Sequence, residues 1–107
     1  MYQENLKLYD EAVLLNNRFK RKGKSTAFTS SNGYMFSFLN KDAQLGIRLS
    51  KENIEHFHKK FTDENFISNG AVMKEFVVIP NFLLTDTTLL SSWLDKSFDY
   101  VNSLPLK

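Results

Sequence analysis

Residues 70–107 constrain the fold more than any other part of the chain, because an apolar strand, a capped amphipathic helix and a proline stop follow one another there without a gap. The run Phe76-Val77-Val78-Ile79 has strand length and no polar side chain, which suits a strand covered on both faces, and Pro80 ends it. Asp86 is placed to cap a helix in which Leu90, Leu94, Phe98 and Val101 form one row. Leu89, Trp93, Tyr100 and Leu104 form a second row, up to Pro105. These elements fix the end of an α+β domain.

The remaining elements follow from periodicity. Leu6, Tyr9, Ala12, Val13, Leu8, Leu15 and Phe19 recur at helical spacing and predict a first helix over residues 3–19, with Gly23 as a stop beyond its last turn. Residues 25–30 read as a strand, Ser31-Asn32-Gly33 as a hairpin turn, and residues 34–39 as a second strand. After Asn40-Lys41-Asp42, Leu45, Ile47 and Leu49 alternate with Gln44, Gly46 and Arg48 as a third strand. Ser50 caps a helix whose Ile54, Phe57, His58 and Phe61 share a stripe. A short strand near Phe66-Ile67-Ser68 leads through Asn69-Gly70 into the apolar strand, with residues 81–86 as a loop before the last helix. The predicted order is α-β-β-β-α-β-β-α, a single domain over residues 1–107 in two layers, helices on an antiparallel sheet.

Composition narrows function by exclusion. The chain of 107 residues is 42% hydrophobic and 24% charged, enough for one core and too short for two. Its zero cysteines remove thiol catalysis, disulfides and Cys-ligated zinc. The start Met1-Tyr2-Gln3-Glu4-Asn5 is not that of a signal peptide, and no apolar window nears the roughly 18 residues of a membrane span, so a cytoplasmic location is expected. Net charge is +2, but Arg18, Lys20, Arg21, Lys22 and Lys24 lie together without an acid, leaving nine basic residues against twelve acidic elsewhere.

Few residues suggest chemistry. Gly23-Lys24-Ser25-Thr26 resembles the tail of a phosphate-binding loop, but position 18 is Arg where that loop needs glycine, and a helix precedes it where a strand should. His56 and His58 stand two apart on a helix and so point in different directions, with His58 at the edge of the buried stripe and His56 in water. Asp63-Glu64 reads as a solvated loop. Neither a catalytic residue, a cofactor loop nor a metal set is expected. Tyr34, Phe36 and Phe38 alternate on one side of the second strand, with Met35 and Leu39 on the other. A strand apolar on both faces predicts a surface that a twofold homodimer would bury. The basic segment has two readings: cations that complement a helix C-terminus, or sequence-independent contacts to nucleic-acid phosphates through Arg18, Lys20, Arg21, Lys22 and Lys24.

Three segments resemble the TfoX N-terminal domain family: Asn32-Gly33-Tyr34-Met35-Phe36, Gly46-Ile47-Arg48-Leu49, and the run from Gly70-Ala71-Val72-Met73-Lys74-Glu75-Phe76-Val77-Val78-Ile79-Pro80 through Trp93 to Ser103-Leu104-Pro105-Leu106-Lys107. The Met-Phe-Gly-Gly element that many members carry ahead of the hairpin is replaced by residues 23–31. The resemblance implies a two-layer fold similar to the secretion-chaperone-like fold. It also implies a bacterial regulatory module of the kind found in competence regulators, here without their C-terminal domain. It transfers no catalytic residue. The expectation is a non-catalytic, cytoplasmic regulatory or protein-interaction module, with direct nucleic-acid binding through residues 18–24 as the alternative, a regulatory protein or a second copy as partner, and no membrane partner.

Overall fold

The computed structural model describes residues 1–107. Nine elements run in the order α1 (Tyr2–Leu14), β1 (Phe28–Ser31), β2 (Tyr34–Leu39), β3 (Leu45–Arg48), α2 (Lys51–Lys60), β4 (Asn65–Ser68), β5 (Ala71–Val78), α3 (Asn81–Leu84) and α4 (Thr87–Ser103). The eight predicted elements are present in order, and one turn of helix, α3, occupies the segment read as a loop. No helix is long and apolar enough to cross a membrane.

All strand pairings are antiparallel, in the order β1-β2-β3-β5-β4. Two hairpins turn at Asn-Gly pairs with both residues at positive φ, Asn32 (55°) with Gly33 (82°) and Asn69 (53°) with Gly70 (76°), the backbone that a two-residue hairpin loop requires. Ser50 Oγ accepts from Asn53 N at 3.2 Å and Asp86 Oδ1 from Leu89 N at 3.2 Å, so both expected caps close the first turns of α2 and α4.

The helix α1 stops at Leu14, five residues short of the predicted end. Asn16 and Asn17 follow, and Arg18 N donates to Asn16 Oδ1 at 2.9 Å, a side-chain turn that competes with helical bonding. Phe19 swings out of the helical row into the core, 5.2 Å from Phe36 and 5.3 Å from Phe98 between ring centroids. The segment of residues 18–24 is therefore a loop and not a helix terminus.

The core has two parts on opposite faces of the sheet. The larger holds Tyr9, Val13, Phe36, Ile47, Val77, Ile79, Leu90, Leu94 and Val101 between the sheet and the helices. Trp93 carries this core outward to α2, edge-on to Phe57 at 5.3 Å and Phe61 at 5.8 Å. The smaller holds Phe38, Phe66, Phe76 and Val78, with Phe28 and Met73 against them. The strand Phe76-Val77-Val78-Ile79 thus feeds both faces, as its unbroken apolar run implies.

Gly46 sets the spacing of the smaller core. A Cβ there would lie 2.4 Å from the Phe66 ring, which is fully buried and held by Phe38 at 5.1 Å and Phe76 at 5.8 Å. The Gly46→Ala substitution is expected to destabilise the protein by about 1–3 kcal/mol through overpacking. Urea unfolding should show Gly46→Ala and Phe66→Leu to be non-additive, the double variant losing less than the two single losses combined, because the smaller side chain relieves the clash.

Candidate functional site

Strand β2 decides what each face presents. Thr29 pairs with Ser37 and Ser30 with Met35, leaving Phe36 as an unpaired extra residue, a β-bulge. The bulge sends Phe36 and Ser37 to the helix side together: Phe36 reaches Phe19 and Phe98, and the Ser37 hydroxyl shares hydrogen bonds with Tyr9 and Thr29. Met35 and Phe38 are left on the helix-free face. The expected common side for Tyr34, Phe36 and Phe38 is therefore corrected. Phe36 is fully buried beneath the helices, Phe38 packs with Phe66 and Phe76, and half-buried Tyr34 sits at the sheet margin. Much of the apolar surface assigned to a dimer is already covered within the chain.

What remains on the helix-free face is a cleft of about 770 Å³, lined by Phe28, Met35, Phe38, Met73 and Phe76, with Ile67, Ser68, Asn69 and Gly70 from the β4–β5 hairpin and Asn40, Lys41 and Asp42 from the β2–β3 turn. The hairpin arches toward the turn because the β4–β5 register is broken between Asn65 and Ile67, and Asn40 Nδ2 donates to Ile67 O at 3.0 Å. Phe66 fills the space beneath it.

Arg48 forms part of the wall. Its Nε donates to Met35 O at 3.1 Å and its Nη1 to Glu75 Oε2 at 2.7 Å, and the guanidinium lies 4.9 Å from the Phe76 ring centre. At the far end of β2, Tyr34 Oη donates to Pro105 O at 2.9 Å, and Lys107 Nζ stands 5.5 Å from the Tyr34 ring centre. Asn32 Nδ2 donates to Val101 O and Leu104 O, closing the end of α4 and fixing the tail beside Gly33. Lys41, Arg48 and Lys107 line the cleft against a single acid, Asp42. Of this site the sequence pointed only to the aromatics of β2; Gly46 inside an alternating strand was the available sign of a close approach.

The structure divides the basic segment. Arg18 donates to Asp95 at 2.8 Å and Asp99 at 2.9 Å, and Arg21 to Asp10 at 2.7 Å. The hydrogen bonds that Arg18 donates to Asp95 and then to Asp99 raise its pKa, and the bond donated to Asp10 raises that of Arg21. Lys22 Nζ donates to Ser30 Oγ at 3.1 Å, while Lys20 and Lys24 are exposed. Two of the five cations are thus paired with carboxylates, which leaves three for phosphate. His56 is exposed, His58 half-buried, and Asp63 and Glu64 are exposed.

Comparison with protein-family models, with curated proteins and with solved structures finds no match for this chain.

Burial pushes the Tyr9 phenol well above its ordinary value near 10, outweighing the hydrogen bonds from Ser37 and Thr29, which act the other way. The folded chain holds this proton more tightly than the unfolded one. The stability it contributes is complete below about pH 10 and is lost as pH rises toward the higher folded value. Urea midpoints measured between neutral and strongly alkaline pH should fall more steeply above pH 10 in the wild type than in Tyr9→Phe. That variant should lose only about 0.5–1.5 kcal/mol at neutral pH.

Proposed function

We propose that the chain is a non-catalytic protein-interaction module of regulatory type, bacterial as its resemblance to the TfoX N-terminal domain implies and cytoplasmic as its N-terminal sequence leads us to expect, and that it holds a segment of another protein in the cleft on the helix-free face. The observation that carries this reading is the exposure of apolar side chains around a preformed cleft: Met35 is 39% and Ile67 47% exposed beside a buried aromatic floor. Exposed apolar side chains at the rim of a concave site are a feature of interaction surfaces in soluble domains. Several buried or half-buried polar groups are engaged in holding the fold: Tyr9 with Ser37 and Thr29, Ser97 with Phe36 O and Arg48 O, and Arg21 with Asp10.

A partner of different sequence is favoured over a second copy, because Phe36 and Phe38 are already packed within the chain. Nucleic-acid binding through residues 18–24 has lost two of its five cations to carboxylates. Affinity capture from the native cell with wild-type protein, Met35→Glu and the triple Lys20→Ala, Lys22→Ala, Lys24→Ala variant tests the reading. A partner should be recovered after nuclease treatment, should be lost with Met35→Glu at unchanged melting temperature, and should be retained with the triple variant. Recovery that vanishes with nuclease and with the triple variant, yet persists with Met35→Glu, would overturn it.

A further inference from the structure

The positions of the cations along the cleft define what its occupant must carry. Lys41 follows the C-terminal end of β2, in the turn after Leu39, whereas Lys107 lies against Gly33 and over Tyr34 at the N-terminal end. Both line the same cleft, and neither makes an ion pair within the chain. At about 3.3 Å per residue, the six residues of β2 set the backbones that carry the two lysines on the order of 20 Å apart. No compact small molecule bridges that distance. An extended chain of about six residues does.

Between the cations the floor is apolar and adaptable. Met35 and Met73 flank Phe38 and Phe76, and unbranched thioether side chains reshape themselves around a bulky apolar group at little cost. Arg48, bonded to Met35 O and Glu75, fixes one wall. The Asn69-Gly70 turn forms the other.

The geometry points to an acidic, extended peptide segment of a partner protein as the occupant, running along β2 with one or two bulky apolar side chains over Met35 and Phe38 and an Asp or Glu at each end, about six residues apart, one facing Lys41 and the other Lys107. This rests on the reading of the chain as a protein-interaction module and names the chemistry of its partner. The charges at the two ends set register and orientation while the apolar centre supplies contact, the division of labour usual at such interfaces.

The probe is a fluorescein-labelled synthetic peptide of ten residues with two glutamates six positions apart and Leu and Phe between them. Its controls are the same peptide with lysines for glutamates and one with both glutamates at one end. Fluorescence anisotropy should show binding of the spaced acidic peptide, weakened about tenfold in each of Lys41→Glu and Lys107→Glu. The lysine peptide should not bind, and the clustered one should bind clearly more weakly. In 15N-resolved spectra the peptide should shift Met35, Lys41, Ile67, Met73 and Lys107. Equal binding by the charge-reversal variants or by the clustered peptide would overturn the inference, as would the same shifts produced by a second copy of the chain or by a single-stranded oligonucleotide. If the peptide fails to bind while Met35→Glu still abolishes capture of a nuclease-resistant partner, the acidic-segment assignment falls and the interaction-module reading stands.

Discussion

The arrangement of this molecule depends on one extra residue in β2. A regular strand would direct Tyr34, Phe36 and Phe38 to one side, leaving the sheet with one overcrowded aromatic face. The bulge at Phe36 gives each face its own aromatic: Phe36 meets Phe19 and Phe98 under the helices, and Phe38 meets Phe66 and Phe76 on the other side. A bulge disrupts the ladder locally, so the backbone around it needs other partners. Ser97, fully buried in the middle of α4, directs its hydroxyl at Phe36 O, 3.2 Å away, and at Arg48 O on the next strand. A polar side chain in the apolar stripe of α4 thereby ties the helix to the two strands it crosses. A typical buried hydrogen bond of this sort contributes about 1 kcal/mol, whereas leaving its partner unsatisfied costs about 1–3 kcal/mol.

The cleft follows from the same division. With Phe38 on the helix-free face, Phe66 has an aromatic surface to pack on, and the absence of a side chain at Gly46 lets its ring settle against β3. The β4–β5 hairpin that carries Phe66 is drawn over the sheet and held by Asn40, and its arch forms one wall. At the opposite end Asn32 closes α4 and positions the tail that brings Lys107 to Tyr34. Contacts made for stability thus place cations at both ends of an apolar floor.

Local signals made much of this fold legible. Ser50 and Asp86 cap as their sequence context implies, both Asn-Gly pairs turn hairpins, and the run Phe76-Val77-Val78-Ile79 is buried on both sides. What escaped depends on contacts between residues far apart in sequence. The helical row through Leu15 and Phe19 extends past Leu14, yet Phe19 gains more from the Phe36 and Phe98 rings than from continuing a helix through two asparagines. The basic run looks unopposed because the carboxylates that take Arg18, Asp95 and Asp99, lie on α4, more than seventy positions away, and Asp10, which takes Arg21, lies eleven positions back on α1. The bulge itself leaves no mark in the pattern Tyr-Met-Phe-Ser-Phe-Leu, because the apolar pattern of one strand does not show which of its residues the partner strand leaves unpaired. For that reason the aromatics of β2 were legible as important and their faces were not.

The most direct measurement is the pattern of nuclear Overhauser contacts from the aromatic rings of β2, with phenylalanine side chains selectively labelled. A sheet divided by the bulge predicts contacts from Phe36 to Phe19 and Phe98, and from Phe38 to Phe66 and Phe76, with no ring of one group in contact with the other. Contacts from Phe36 to Phe66 or Phe76 would place both aromatics on one face, and would contradict both the bulge and the cleft built on it.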